Sequence, residues 1–151
     1  MTGTLGGRAE LITACDYRLM STKVDTTAIG FIHAKMGIVP TWGLTDRLML
    51  ITGRQNTLNL LLDNRPLRAA EVMDIGLVDG TAATLQDATD WLSRKNRHHV
   101  NVIRAIKRTL SCHGDGANRR AATLMERKIF AVLWGGPANR MTLDQYFSRS
   151  K

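Results

Sequence analysis

Apolar residues recur along the chain at spacings that separate a mixed first half from a helical second half. Arg8 to Cys15 (RAELITAC) has helical spacing and reads as a short, largely buried helix entered from Leu5-Gly6-Gly7. Asp16 ends it. Tyr17 to Met20 reads as a short strand, Ser21 to Asp25 as a polar turn, and Thr26 to His33 as a second strand or an extended loop. Met36 to Gly43 (MGIVPTWG) is a loop punctuated by Gly and Pro. Leu44 to Thr52 places Leu44, Leu48 and Ile51 on one helical face, with Gly53 where a C-cap belongs. Helices over Thr57 to Asp63 and Arg68 to Ile75 follow, the second closed by Gly76. Leu77-Val78 is then a strand stub and Asp79-Gly80 a turn.

From Leu85 onward the pattern is helical. Leu85 to Asn96 is amphipathic, and Val100 to Leu110 aligns Val100, Ile103, Ile106, Lys107 and Leu110 in one stripe. After a break over Ser111 to Asn118, Arg119 to Trp134 repeats Ala122, Met125, Ile129, Val132 and Leu133 at helical spacing. Gly135-Gly136-Pro137 stops that helix and Met141 to Phe147 reads as a short tail. A few short strands near the N-terminus do not make a full sheet. The pattern therefore predicts an α/β chain in two parts. Residues 1–80 form a core segment of Gly-rich turn, short strands and helices, and residues 81–151 a helical C-terminal region. The helices are of the kind that pack on a sheet supplied from elsewhere.

Composition agrees with a folded chain: 44% of the 151 residues are hydrophobic and 23% charged. No apolar run approaches the ~20 residues that cross a bilayer, and no signal pattern opens the sequence. A Gly-rich turn so soon after Met1 suggests that preceding structure lies outside these residues. Cys15 and Cys112 lack a pairing or metal motif and read as reduced, buried thiols of a cytoplasmic (cytosolic) protein. His33, His98, His99 and His113 have no ligand spacing with Cys or carboxylates, so no metal site is expected. The net charge of +8 suits a polyanion: nucleic acid, acidic lipid or a phosphorylated small molecule. It equally suits a solvated basic surface. No nucleic-acid motif or interleaved aromatics accompany it, so neither nucleic acid nor membrane is an expected partner.

The candidate chemistry lies near the start. A Gly-rich turn that enters a helix leaves backbone N–H groups without helical partners, where negative charge can develop. Glu10 follows on a largely apolar helix, where desolvation suits a carboxyl group to proton transfer. It could equally complement the helix N-terminus. His33 reads locally as a partly exposed loop histidine. Trp42 and Trp134 read first as packing residues.

Leu5-Gly6-Gly7-Arg8-Ala9-Glu10-Leu11, with Ala14-Cys15-Asp16-Tyr17-Arg18, resembles the signature of the enoyl-CoA hydratase/isomerase (crotonase) superfamily. Met36-Gly37-Ile38-Val39-Pro40, Gly43, Thr45, Arg47-Leu48, Ala69-Ala70 and Ile75-Gly76-Leu77-Val78 continue it in order. Phe31-Ile32-His33 and Trp134-Gly135-Gly136-Pro137-Ala138-Asn139 point to its branch that decarboxylates malonyl-type thioesters, ethylmalonyl-CoA and methylmalonyl-CoA. The resemblance implies the C-terminal part of a crotonase-like (ClpP/crotonase) fold, an acyl-CoA substrate, and no cofactor beyond the coenzyme A of that substrate. It also implies trimer-type homo-oligomers.

Carried residue by residue, the resemblance makes Gly7 one N–H donor to the thioester oxygen; the other donor lies on an N-terminal half not contained here. Glu10 matches a general acid/base, and His33 stands where hydratases carry a second catalytic carboxylate, which disfavours simple hydration. Gly6, Arg8, Pro40 and Trp42 fall at substrate-contacting positions. Arg8 replaces the third glycine of a Gly-Gly-Gly turn, and Leu44 a glycine after Gly43. Either replacement would carry strain if it held a left-handed position, which costs ~1–2 kcal/mol. Arg8 could otherwise meet a coenzyme A phosphate. The rival readings are a catalytically inactive truncated homologue, a hydratase-like enzyme, and a basic nucleic-acid-binding module.

Overall fold

The first turn of the chain positions everything that follows. Strand β1 (Gly3–Leu5), which the hydrophobic pattern did not reveal, runs through Gly6 into helix α1 (Gly7–Ile12). This is a computed structural model and it describes residues 3–23, 27–114 and 118–148. The end of the predicted turn at Ser21 to Asp25, the first residue of the predicted strand Thr26 to His33, and residues 115–117 of the predicted Ser111 to Asn118 break lie outside the described residues. α1 is shorter than the predicted Arg8 to Cys15. The Thr13 backbone N–H and hydroxyl both donate to the Glu10 carbonyl, at 3.2 and 2.7 Å, and so tighten and close the last turn.

Strands β2 (Leu19–Ser21), β3 (Ala28–Gly30) and β4 (Gly80–Ala82) follow. The strands do find partners. β1 pairs with β3 and β2 with β4, both parallel, as two separate two-stranded sheets. The strand predicted at Leu77-Val78 starts two residues later than Val78, at Gly80. The N–H groups of Leu77 and Val78 are taken by the Val72 carbonyl at 2.8 and 3.3 Å, so neither is free for a ladder. Leu77 and Val78 are buried instead. Arg18 fixes that bend: its Nε donates to the Leu77 carbonyl at 2.7 Å, and its Nη2 lies 3.1 Å from Asp79 Oδ2. Asp79 and Arg18 also exchange backbone hydrogen bonds, at 2.8 Å each, through the Asp79 carboxylate and the Arg18 carbonyl.

A 3₁₀ turn at Ala34–Met36 leads to α2 (Leu44–Asp63), whose backbone breaks at Gly53 (φ 78°, ψ 163°), the residue predicted to end the first of two helices. Leu44 and Leu48 on its first half are fully buried with Ala9, Phe31, Val72 and Leu77. Helix α3 (Ala69–Asp74) supplies Val72. Helix α4 (Leu85–Lys95) opens with a reciprocal cap: Asp87 Oδ2 accepts from the Thr84 N–H, and the Thr84 hydroxyl accepts from the Asp87 N–H, at 2.9 and 3.1 Å.

The chain divides into two compact units, residues 1–91 and 92–151. The second holds α5 (Val100–His113), α6 (Arg119–Leu133) and α7 (Pro137–Ser148). α5 continues beyond the predicted Leu110. Its predicted stripe is buried only in part, because Ile103 is half-buried beside Val102 and Ala105 while Val100, Ile106 and Leu110 are exposed. The predicted tail at Met141 to Phe147 is part of a full helix. Gly135 turns the chain (φ 69°), Asn139 accepts the Gly135 N–H at 3.0 Å, and Pro137 takes the first helical position, where its missing N–H costs nothing. Trp134 is not a packing residue: it is 67% exposed and stacks on Phe130 at 5.4 Å. Cys15 is exposed and Cys112 half-buried, where buried thiols were expected.

Candidate functional site

Gly6 holds φ +59° and ψ −131°, a backbone that an L side chain rarely adopts, and this lets β1 turn directly into α1. Its N–H donates to the Gly30 carbonyl at 3.2 Å, and its own carbonyl receives the Glu10 N–H at 3.1 Å. Gly7 therefore starts the helix with no helical carbonyl before it to accept its N–H. One turn later Glu10 enters the protein and is 5% exposed. Burying a carboxyl group there requires a partner.

His33 supplies that partner. It sits at the entry to the 3₁₀ turn, 6% exposed, with Nε2 at 2.6 Å from Glu10 Oε1. The partly exposed loop histidine expected from local sequence is thus a buried one, because the carboxylate draws it inward. Only a hydrogen shared across that contact permits such an approach. Among the described residues, Glu10 Oε2 and His33 Nδ1 are buried with no hydrogen-bond partner. The pair carries unspent donor and acceptor capacity inside the protein, unusual enough to mark a site of chemistry.

A second cluster backs the first. Arg47, on the first half of α2, donates from Nε to the Thr13 hydroxyl at 2.9 Å, from Nη1 to the Trp42 carbonyl at 2.7 Å and from Nη2 to the Glu10 carbonyl at 3.5 Å. One guanidinium so ties α1 to the Trp42 loop. Trp42 is 70% exposed and is no core residue; its six-membered ring lies over Gly7, where an added Cβ would stand 3.3 Å from Cζ3. Its backbone has φ +48°, an outlier for a bulky residue. The strain anticipated at Arg8 and Leu44 does not fall there. Both are helical residues, and Gly6 and Gly43 (φ +70°) take the left-handed positions beside them.

The structure thus joins Glu10 with His33 and Gly7 with Trp42. Arg8 is exposed on α1 and Pro40 half-buried in the loop, and neither is tied to those pairs by a hydrogen bond or ion pair among the described residues. Thr13 and Arg47 were missed as site residues. Their signal was present, since Arg47 stands in a motif block and Thr13 directly before one, but a polar residue at a helix end carries no mark of what it will bond. Among the described residues no cluster of three or more His, Cys, Asp or Glu side chains could hold a metal ion, and no helix is long and apolar enough to cross a membrane. A cavity of about 890 Å³ between α5, α6 and α7 includes none of Gly7, Glu10, His33 and Trp42 in its lining.

A buried carboxyl–imidazole pair beside a glycine-opened helix, on short parallel strands followed by helices, defines an α/β protein with a candidate site at the head of its first helix. The chain belongs to the enoyl-CoA hydratase/isomerase family, whose profile matches residues 2–151. It is 39% identical over 141 residues to the ethylmalonyl-CoA decarboxylase of Rattus norvegicus, covering 89% of this chain and 46% of that protein. To the Homo sapiens protein of the same name the identity is 37%, over 89% of this chain and 45% of that one. The chain spans about half the length of the curated relatives it matches. Among solved structures, an enoyl-CoA hydratase/isomerase from Mycobacterium abscessus superposes with a TM-score of 0.85 at 21% identity, over 98% of this chain and 61% of that one. An enoyl-CoA hydratase from Thermoplasma volcanium gives 0.80 at 23%, over 95% and 56%. The fold is the crotonase fold, mostly helical with few strands.

Proposed function

We propose that the chain serves a decarboxylase of malonyl-type acyl-CoA thioesters, ethylmalonyl-CoA and methylmalonyl-CoA, and that Glu10 and His33 handle the proton. The 2.6 Å contact between these two buried side chains carries the reading. Hydration of an enoyl thioester needs a water held between two proton-transfer groups; here they bond to each other and leave no such space. A group that only has to protonate a carbanion has no need of that water.

The chemistry balances simply. The C–C bond to the carboxylate breaks, CO2 leaves, and its electron pair enters the thioester carbonyl as an enolate. A proton then adds at the α-carbon to give the acyl thioester. The thioester carbonyl is itself the electron sink, so neither metal nor organic cofactor is required. The Gly7 N–H would hold the enolate oxygen, a contribution of ~10²–10³ in rate for one such donor. Glu10 and His33 would supply the proton and regain it from solvent. The relatives named ethylmalonyl-CoA decarboxylase support the substrate class. The same reading has the chain act in the cytosol within a trimer-type homo-oligomer.

The test is a direct comparison of CO2 release from ethylmalonyl-CoA and methylmalonyl-CoA with water addition to crotonyl-CoA. Release from the malonyl thioesters with no measurable hydration is expected. Hydration without decarboxylation would replace this reading with a hydratase.

A further inference from the structure

We infer that Trp42 is the specificity-determining residue of the site, its indole forming the wall that packs against the α-substituent of the acyl group. The inference rests on the proposed acyl-thioester reading and adds which residue measures the substrate.

Three observations carry it. The indole lies against Gly7, with Cζ3 and Cη2 at 3.3 and 3.5 Å from where a Cβ would stand, so any side chain there would press on the ring. The ring is 70% exposed although it is a large apolar surface, and its backbone is held left-handed (φ +48°) by a hydrogen bond from Arg47 to its carbonyl. The protein thus fixes an apolar face in the open instead of burying it. The same Arg47 bonds Thr13 and the Glu10 carbonyl, so the indole is held in register with the Glu10–His33 pair, whose Oε2 and Nδ1 are buried and unpartnered. A thioester whose oxygen meets Gly7 has its α-carbon one bond beyond the carbonyl carbon. An ethyl group there would cover the indole and gain the apolar contact that the protein withholds.

The test is calorimetric titration of the full chain with butyryl-CoA, acetyl-CoA and free coenzyme A, repeated on Trp42→Ala and Trp42→Phe. Two buried methylenes are worth about tenfold in affinity, so the parent chain should prefer butyryl-CoA over acetyl-CoA by about that factor. Trp42→Ala should bring the preference to within about twofold by weakening butyryl-CoA alone, and Trp42→Phe should retain much of it. Free coenzyme A should bind all three alike. An unchanged preference in Trp42→Ala, or no preference or no binding in the parent, overturns the inference. Decarboxylation measured on the same preparations separates the two claims. Loss of preference without CO2 release in any form removes the decarboxylase reading and leaves the role of Trp42. CO2 release with the preference intact in Trp42→Ala does the reverse.

Discussion

Removing the imidazole of His33 leaves the Glu10 carboxyl group buried with both oxygens unmatched. A buried polar group left without its partner costs about 1–3 kcal/mol, so His33→Ala should unfold at lower denaturant than the parent. Glu10→Gln keeps an amide that can still bond Nε2, and should melt close to the parent. That difference lets stability and activity be read apart. Phe31, fully buried, should cost about 3–5 kcal/mol as alanine, measured by urea unfolding. Gly43→Ala is strained at φ +70° and its Cβ would meet Arg47 Nη1 at 3.1 Å. A loss of about 1–2 kcal/mol is expected there. At this scale the turn through Gly6-Gly7 into a helix, and the burial of Glu10 on that helix, were legible in the sequence. It was misleading for His33, whose local surroundings are those of a loop. The carboxylate that buries it is 23 positions away. It was misleading again for Trp42, because aromatic character predicts burial and only tertiary contacts reveal an indole pinned in the open.

Helix ends carry the acidic groups whose ionisation the fold shifts. The Thr84 hydrogen bonds, side chain first and then backbone, hold the Asp87 carboxyl below its ordinary 3.8. The Arg68 N–H and then the Arg65 side chain do the same for Glu71, below 4.5. A lowered folded value means that the stabilisation is complete above the ordinary value and is lost as pH falls through the lowered one. Helicity followed by circular dichroism should therefore hold from neutral pH to about 4.5 and then decline. Asp87→Ala should lose helicity at pH 7, and its deficit against the parent should shrink in stronger acid. The Thr84–Asp87 cap went unread in the sequence, although its two residues stand three apart. The break at Gly53 was legible, since glycine alone made the two halves of α2 separable. The strands were less so: three-residue segments have too few positions to show alternation, and β4 was displaced because α3 consumes the N–H groups of Leu77 and Val78.

For the molecule as a whole, the two parallel sheets are each two strands wide among the described residues, and the second unit keeps Val132, Leu110, Tyr146 and Phe147 exposed. Uncovered apolar faces favour association. Sedimentation velocity on the chain should show concentration-dependent oligomers, and a strictly monomeric boundary would contradict that expectation. The α/β character and the strand-poor, helix-rich order were legible in the changing spacing of apolar residues. The pairing of strands was not, because parallel partners such as β2 and β4 are joined only through the helices between them. The proposed chemistry depends on the carboxyl group of Glu10. Decarboxylation of ethylmalonyl-CoA by the chain should fall by about 10²-fold or more in Glu10→Gln, the scale of a lost acid/base group, while the melting temperature stays close to the parent's. Equal turnover in parent and variant, or none from a demonstrably folded parent, would contradict the account.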